Sequence, residues 1–203
     1  LTGLRGVGKT VLLDNLKPIA QSQGWLWVNT DLSESTSISE ERIARRMITD
    51  LAPLTSSVIL SKDEKKQLGF GGTSKTVERR LDHATLQATY EATPGLVSDK
   101  LKQVFLVAWS YLGRQDKRGI VFAYDEAQTM SDHAERDEYP LALMLEVFQS
   151  IQRQGIPFLL VLTGLPTLFT KLVASRTYSE RMFHIMFLDR LNRDDCRDAI
   201  LKP

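Results

Sequence analysis

The chain is poor in several things, and each scarcity narrows its class. With one cysteine, Cys196, it cannot staple itself with a disulfide, so a reducing, cytoplasmic setting is expected. Its three histidines, His83, His133 and His184, lack metal-ligand spacing, and one cysteine cannot build a zinc site. No apolar run approaches the roughly 18 residues of a membrane-spanning helix, and no signal peptide is expected at Leu1. Neither sign of charge dominates: Lys+Arg number 26 and Asp+Glu 25, a net charge of +1. That excludes a whole-surface attraction for nucleic acid and leaves only a local patch. The remaining composition, 42% hydrophobic over 203 residues, suits one domain, 1–203, with its own core.

What is present begins at once. Gly3-Leu4-Arg5-Gly6-Val7-Gly8-Lys9-Thr10 fits G-x-x-x-x-G-K-[ST], the phosphate-binding loop. Glycines let backbone N–H groups turn inward around phosphate oxygens, where a Cβ would obstruct them. Lys9 supplies a point charge to the β- and γ-phosphates, the Thr10 hydroxyl can ligate Mg²⁺, and the helix from Val11 adds its positive end. Only Leu1 and Thr2 precede the motif, where a complete strand is expected. The chain therefore reads as N-terminally truncated, a piece of a longer protein.

Strands and helices alternate downstream. Trp25–Asn29 reads as the second strand, after a helix expected to bend or stop near Leu16 because of Pro18. Trp25 and Trp27 share one strand face and read as core. Ser37 with Glu40 makes a capping box for a helix closing near Pro53. Residues 55–93 are the least legible. There Lys62, Lys65, Lys66, Lys75, Arg79 and Arg80 outnumber Asp63, Glu64 and Glu78, with Gly69, Gly71 and Gly72 between them. The stretch reads as an insertion and a solvated surface excursion, with nucleic-acid contact the competing interpretation. A helix from Ser98 to Leu112, a buried-type strand at 119–124, a helix from Pro140, a strand at 158–163 and a last strand at 183–188 complete the alternation. Such alternation means a parallel sheet covered on both faces.

Asp125-Glu126 closes the apolar strand at 119–124. Open α/β sheets bind ligands at the carboxyl ends of their strands, and an acidic pair there complements a phosphate loop. Asp125 would hold Mg²⁺, directly or through its water, and Glu126 would polarise the water attacking a γ-phosphate. Asp132, Glu135, Asp137 and Glu138, interrupted by Arg136, read as a solvated loop.

Four segments together resemble the AAA+ ATPases: Gly3–Thr10 as Walker A, Ile120–Glu126 with Ala127-Gln128 as Walker B, Leu159–Leu165, and Glu180-Arg181-Met182-Phe183. The flavour is that of bacterial ATPases similar to origin-recognition and helicase-loader proteins. The resemblance implies a P-loop NTPase three-layer α/β/α sandwich, with a five-stranded parallel sheet in the order 5-1-4-3-2. It implies ATP and Mg²⁺ as cofactors, with Gly3, Leu4, Arg5, Gly6, Val7, Gly8, Lys9, Thr10 and Val11 binding nucleotide and Thr10 and Asp125 binding metal. Lys9 and Glu126 would be catalytic. Thr163 falls where the family carries sensor 1, and Arg181 near its arginine finger, with Arg176 the nearest rival.

The implied function is ATP hydrolysis driving conformational work on a macromolecular partner, DNA or protein, in a homo-oligomer with active sites between subunits. The alternative is a STAND-type nucleotide-gated signalling switch with slow turnover. The chain departs from the family in the 116 positions between Lys9 and Asp125. It also includes only the start of the helical lid, at 192–203.

Overall fold

Apolar runs separated by amphipathic stretches fold here as alternating strands and helices. The computed structural model describes residues 1–65, 75–176 and 179–201. In chain order its elements are β1 (Thr2–Gly3), α1 (Lys9–Ser22), β2 (Trp25–Asp31), α2 (Glu40–Thr55), β3 (Ile59–Lys65), β4 (Lys75–Arg80), α3 (His83–Ala92) and α4 (Val97–Leu112). These are followed by β5 (Gly119–Asp125), α5 (Pro140–Arg153), β6 (Phe158–Leu162), α6 (Thr167–Ser175), α7 (Ser179–Met182), β7 (Phe187–Leu188) and α8 (Arg193–Leu201). Among the described residues no helix is long and apolar enough to cross a membrane.

The architecture is mixed α/β with parallel sheets. β5 runs between β2 and β6, paired in parallel from Trp25↔Gly119 to Asp31↔Asp125 on one edge and from Ile120↔Phe158 to Tyr124↔Leu162 on the other. All seven residues of β5 are buried. A strand bonded on both edges and covered on both faces has no place for a polar side chain except at its end. Ile120, Phe122 and Tyr124 enter the larger core with α2, α4 and α5, whereas Val121 and Ala123 pack with Leu13 and Trp27 beside α1. Trp27 is thus core, as its strand face implied.

The expected continuous five-stranded sheet is not what forms. The described strands make a three-stranded sheet, β2-β5-β6, a two-stranded parallel sheet, β1-β7, and an antiparallel hairpin, β3-β4. β1 and β7 are two residues each, too short for a ladder that would fuse the sheets. One parallel bridge, Thr2↔Gly164, joins β1 to the residues just after β6. Around it Leu1 N donates to Leu162 O at 2.7 Å and Gly164 N to Leu1 O at 3.1 Å.

Other boundaries also moved. Pro18 does not stop α1, which runs on to Ser22. Pro18 faces solvent, so the carbonyl its missing N–H leaves free can be hydrated. Likewise Pro53 lies inside α2. The cap of α2 is Ser39, whose hydroxyl accepts from Arg42 N, and not Ser37, which is buried and donates to Ser33 O. The illegible 55–93 stretch resolves into the β3-β4 hairpin and α3. Lys66, Gly69, Gly71 and Gly72 of that stretch lie outside the described residues, as do residues 202–203 of the expected lid.

Four phenylalanines organise the larger core. The Phe122 ring lies 5.3 Å from those of Phe105 and Phe148 and 5.6 Å from that of Phe158. Truncating Phe122 removes the centre of this cluster and leaves a cavity that β5, held on both edges, cannot collapse to fill. Phe122→Ala is expected to cost about 3–5 kcal/mol, read as a lowered denaturant midpoint at unchanged slope. Phe187→Ala, at a side chain 72% exposed, should change stability by less than about 0.5 kcal/mol.

Candidate functional site

The loop between β1 and α1 carries the glycine motif, and its backbone needs those glycines. Gly6 and Gly8 have φ of +77° and +91°, in the left-handed region where a side chain is strained. Gly8 is also the N-cap of α1, so the loop delivers its amides to the positive end of a 14-residue helix. Lys9 opens that helix and is only 8% exposed. Its ammonium folds back over the loop, donating to Gly3 O at 2.9 Å and Leu4 O at 2.8 Å. A buried cation is tolerable only with such acceptors, and carbonyl oxygens are ligands it can exchange for phosphate oxygens.

Side-chain alternation along β5 decides what Thr10 meets. Asp125 has the parity of Val121 and Ala123, the α1 side, and so faces the first turn of α1. Thr10 Oγ1 donates to Asp125 Oδ2 at 2.5 Å across 115 residues of sequence. Asp125 Oδ1 accepts from Glu126 N at 2.8 Å. Both oxygens of this 3%-exposed carboxylate thus have donors, which is how it tolerates burial.

Glu126 turns the chain out of the sheet. Its backbone is left-handed, with φ 54° and ψ 30°, a conformation costing a non-glycine residue about 1–2 kcal/mol. The turn carries its carboxylate out of the core to an exposed position. There it lines a cleft of about 480 Å³ together with Arg5, Gly6, Gly8, Lys9, Thr10 and Val11. A second cavity of about 410 Å³ on the same loop is lined by Arg5, Gly6, Val7, Gly8, Arg190, Leu191 and Cys196. Hence the loop separates two hollows, one polar with the acid at its edge, the other bounded by the start of α8.

The other residues singled out in the sequence lie elsewhere. Gly3 is buried in β1, where a Cβ would stand 2.4 Å from Leu188 O, so its role is close strand packing. Leu4 is exposed and lends its carbonyl to Lys9. Thr163 follows β6, fully buried, and its hydroxyl donates to Tyr124 O at 3.1 Å. It does not line either hollow at the loop. Arg181, on α7, is exposed beside a separate cleft with Gln149, Gln152, Arg153 and Met182. Arg176, its rival, donates to Ser175 O at 3.3 Å. An apolar groove of about 410 Å³ between α1, β6 and residues 182–186 offers His184 as its one ionisable side chain, so phosphate chemistry is not assigned there.

Behind the acid pair lies a buried polar group of different character. The Tyr124 hydroxyl has its pKa pushed up, first by burial and then by the charge of Asp50, so it remains neutral. Asp50, on α2, accepts from Thr30 Oγ1 at 2.9 Å and from the Arg46 guanidinium, which keeps its charge compensated. The Thr30 bond to Asp50 joins α2 to β2, the buried Tyr124 hydroxyl has no hydrogen-bond partner among the described residues, and none of these groups lines the loop clefts.

Two residues gain a place at the site that the sequence did not assign them: Gln128, named only as following the acid pair, and Lys171, which no pattern singled out. Gln128 Nε2 donates to Glu126 Oε2, and Lys171 Nζ donates to Gln128 O at 2.5 Å. An amide two residues after an acid pair, and a lysine within an amphipathic helix, do not announce these contacts until the fold brings the residues together.

Among the described residues no group of three or more His, Cys, Asp and Glu side chains could hold a metal ion. Thr10 and Asp125 offer a hydroxyl and a carboxylate, hard oxygen donors. That suits Mg²⁺, which keeps waters and substrate phosphates as its other ligands. No protein-family model matches the chain, and no curated protein matches it in sequence.

The Thr163 geometry has a measurable consequence. Thr163→Val keeps the shape of the side chain, and Tyr124 O keeps its bond from Thr163 N at 2.9 Å. Stability should fall by about 1 kcal/mol in chemical denaturation, the net worth of one buried hydroxyl bond. A loss beyond about 3 kcal/mol would mean the hydroxyl supports more than that single contact.

Proposed function

We propose that this chain is the nucleotide-binding core of an ATPase of AAA+ type. The observation that carries the reading is the contact of Thr10 with Asp125 beside the Glu126 carboxylate, which unites two phosphate-chemistry motifs 115 residues apart. The bridge Thr2↔Gly164 supports the finer fold. Through it the parallel strands follow one another as β2, β5, β6, β1 and β7, which in order of appearance is 2-3-4-1-5, the expected 5-1-4-3-2 read backwards.

In this reading the triphosphate of ATP enters the cleft lined by Arg5, Gly6, Gly8, Lys9, Thr10, Val11 and Glu126, and the nucleoside takes the hollow toward Arg190 and Leu191. The loop amides and the start of α1 receive phosphate oxygens. Lys9 exchanges the carbonyls of Gly3 and Leu4 for the β- and γ-phosphates, at little cost because one set of oxygens replaces another. Thr10 and Asp125 would hold Mg²⁺, which when bound neutralises phosphate charge. Glu126 orients water and accepts its proton as the oxygen attacks the γ-phosphorus; the bond to the β-phosphate oxygen breaks, leaving ADP and phosphate. The energy released drives conformational work on a macromolecular partner. For Thr163 to sense the γ-phosphate, its hydroxyl must leave Tyr124 O. Arg181 acts on the nucleotide of a neighbouring subunit, where a guanidinium offsets charge developing on the transferring phosphoryl oxygens.

Three outcomes test this. Lys9→Ala should weaken ATP·Mg²⁺ binding at least about tenfold, or about 1.4 kcal/mol; equal affinities by calorimetry would remove the phosphate-loop assignment. Glu126→Gln should retain ATP binding while phosphate release falls about a hundredfold or more, since a carboxamide is no general base. Unchanged release would make Glu126 structural. Turnover per subunit should rise with protein concentration, and Arg181→Ala should abolish that rise with little effect on ATP affinity. Flat specific activity in both proteins would return Arg181 to the surface.

A further inference from the structure

The Gln128 carboxamide is held at both ends. Its Nε2 donates to Glu126 Oε2, and its Oε1 accepts from Leu165 N at 3.0 Å. These partners fix which end is which, because a carboxylate takes only a donor and a backbone amide serves only an acceptor. The residue's own backbone is anchored too. Ala127 N donates to Thr163 O at 2.9 Å. Lys171 Nζ, from α6, donates to Gln128 O at 2.5 Å, to Met130 O at 3.1 Å and to Ser131 Oγ at 2.7 Å.

Room for the carboxamide comes from the absence of a side chain opposite. A Cβ on Gly164 would stand 2.5 Å from Gln128 Oε1 and 3.3 Å from Gln128 N. Glu126, by contrast, is exposed, on a left-handed backbone, with no packing to select a rotamer. An acid meant to act on a bound water must nonetheless be aimed in advance, or each turnover begins with a search over rotamers.

We infer that Gln128 is a positioning residue for Glu126. It holds the carboxylate at the edge of the phosphate-loop cleft and ties its orientation to the loop between β6 and α6. The inference rests on reading Glu126 as the base of an ATPase.

The test uses the full chain with ATP·Mg²⁺, measuring affinity by calorimetry and phosphate release in a single turnover. Gln128→Ala and Gln128→Glu are each made alone and in the Glu126→Gln background. Gln128→Glu preserves shape and the acceptor for Leu165 N but sets a carboxylate against Glu126, and it serves should the alanine variant fail to fold. Either change alone should lower turnover about tenfold or more, the scale of a hydrogen bond to a charged group, with affinity within about twofold. In the Glu126→Gln background Gln128→Ala should add less than about twofold, because the group it acts through is already gone.

Equal losses in both backgrounds would show that Gln128 only supports the fold. Wild-type or raised turnover in Gln128→Glu would overturn the inference as well. If the wild-type chain releases no phosphate, the ATPase reading itself falls and takes this inference with it. An active wild type with indifferent Gln128 variants sinks the positioning role alone.

Discussion

Strand β5 constrains everything else: all seven of its residues are buried, and parallel ladders hold it on both edges. Apolar burial of that completeness is the strongest stabilising contribution a single strand can make, and it leaves no freedom of register. A slip of one residue would turn Phe122 toward α1 and Asp125 into the larger core. The Phe105, Phe122, Phe148 and Phe158 rings therefore do more than fill space. By fixing which residues of β5 face the core, they fix that Asp125 faces the first turn of α1.

Four polar side chains of the site, Lys9, Thr10, Asp125 and Glu126, are partnered within the protein. Lys9 rests on two loop carbonyls, Thr10 on Asp125, and Glu126 on Gln128. Buried or half-buried polar atoms need such partners, since an unmet donor or acceptor costs about 1–3 kcal/mol. The same contacts set what a phosphate ligand must replace. Under the proposed function, an anion arriving at the loop would exchange hydrogen bonds and not create them from nothing, so its affinity would depend on how well its oxygens outcompete the carbonyls of Gly3 and Leu4.

Much of the candidate site's geometry was legible because it depends on local spacing. Gly6 and Gly8 sit where φ must be positive, Lys9 begins the helix that the motif implied, and Asp125-Glu126 ends the apolar strand. The periodic stretches after Ser98 and Pro140 also became helices. Failures came where distant parts of the chain decide. Pro18 was tolerated because its side of α1 meets water, a fact of packing. The hairpin in 55–93 has strands whose pairing across the intervening residues no short-range pattern announces. The short β1 and β7 split the sheet because a ladder's extent depends on how many residues two remote segments can align.

The sequence by itself determined the loop conformation, the identity of the acid pair and the alternation of strand and helix, since each follows from torsional freedom, charge or hydrophobic period within a few residues. Only the tertiary structure decided that Thr10 meets Asp125, that Thr163 points its hydroxyl at Tyr124, and that Gln128 reaches Glu126 past a bare Gly164. Those contacts depend on strand parity, on close backbone approach and on residues separated by long stretches of chain. Such positions are set by the packing of the whole core, and no window of sequence contains it.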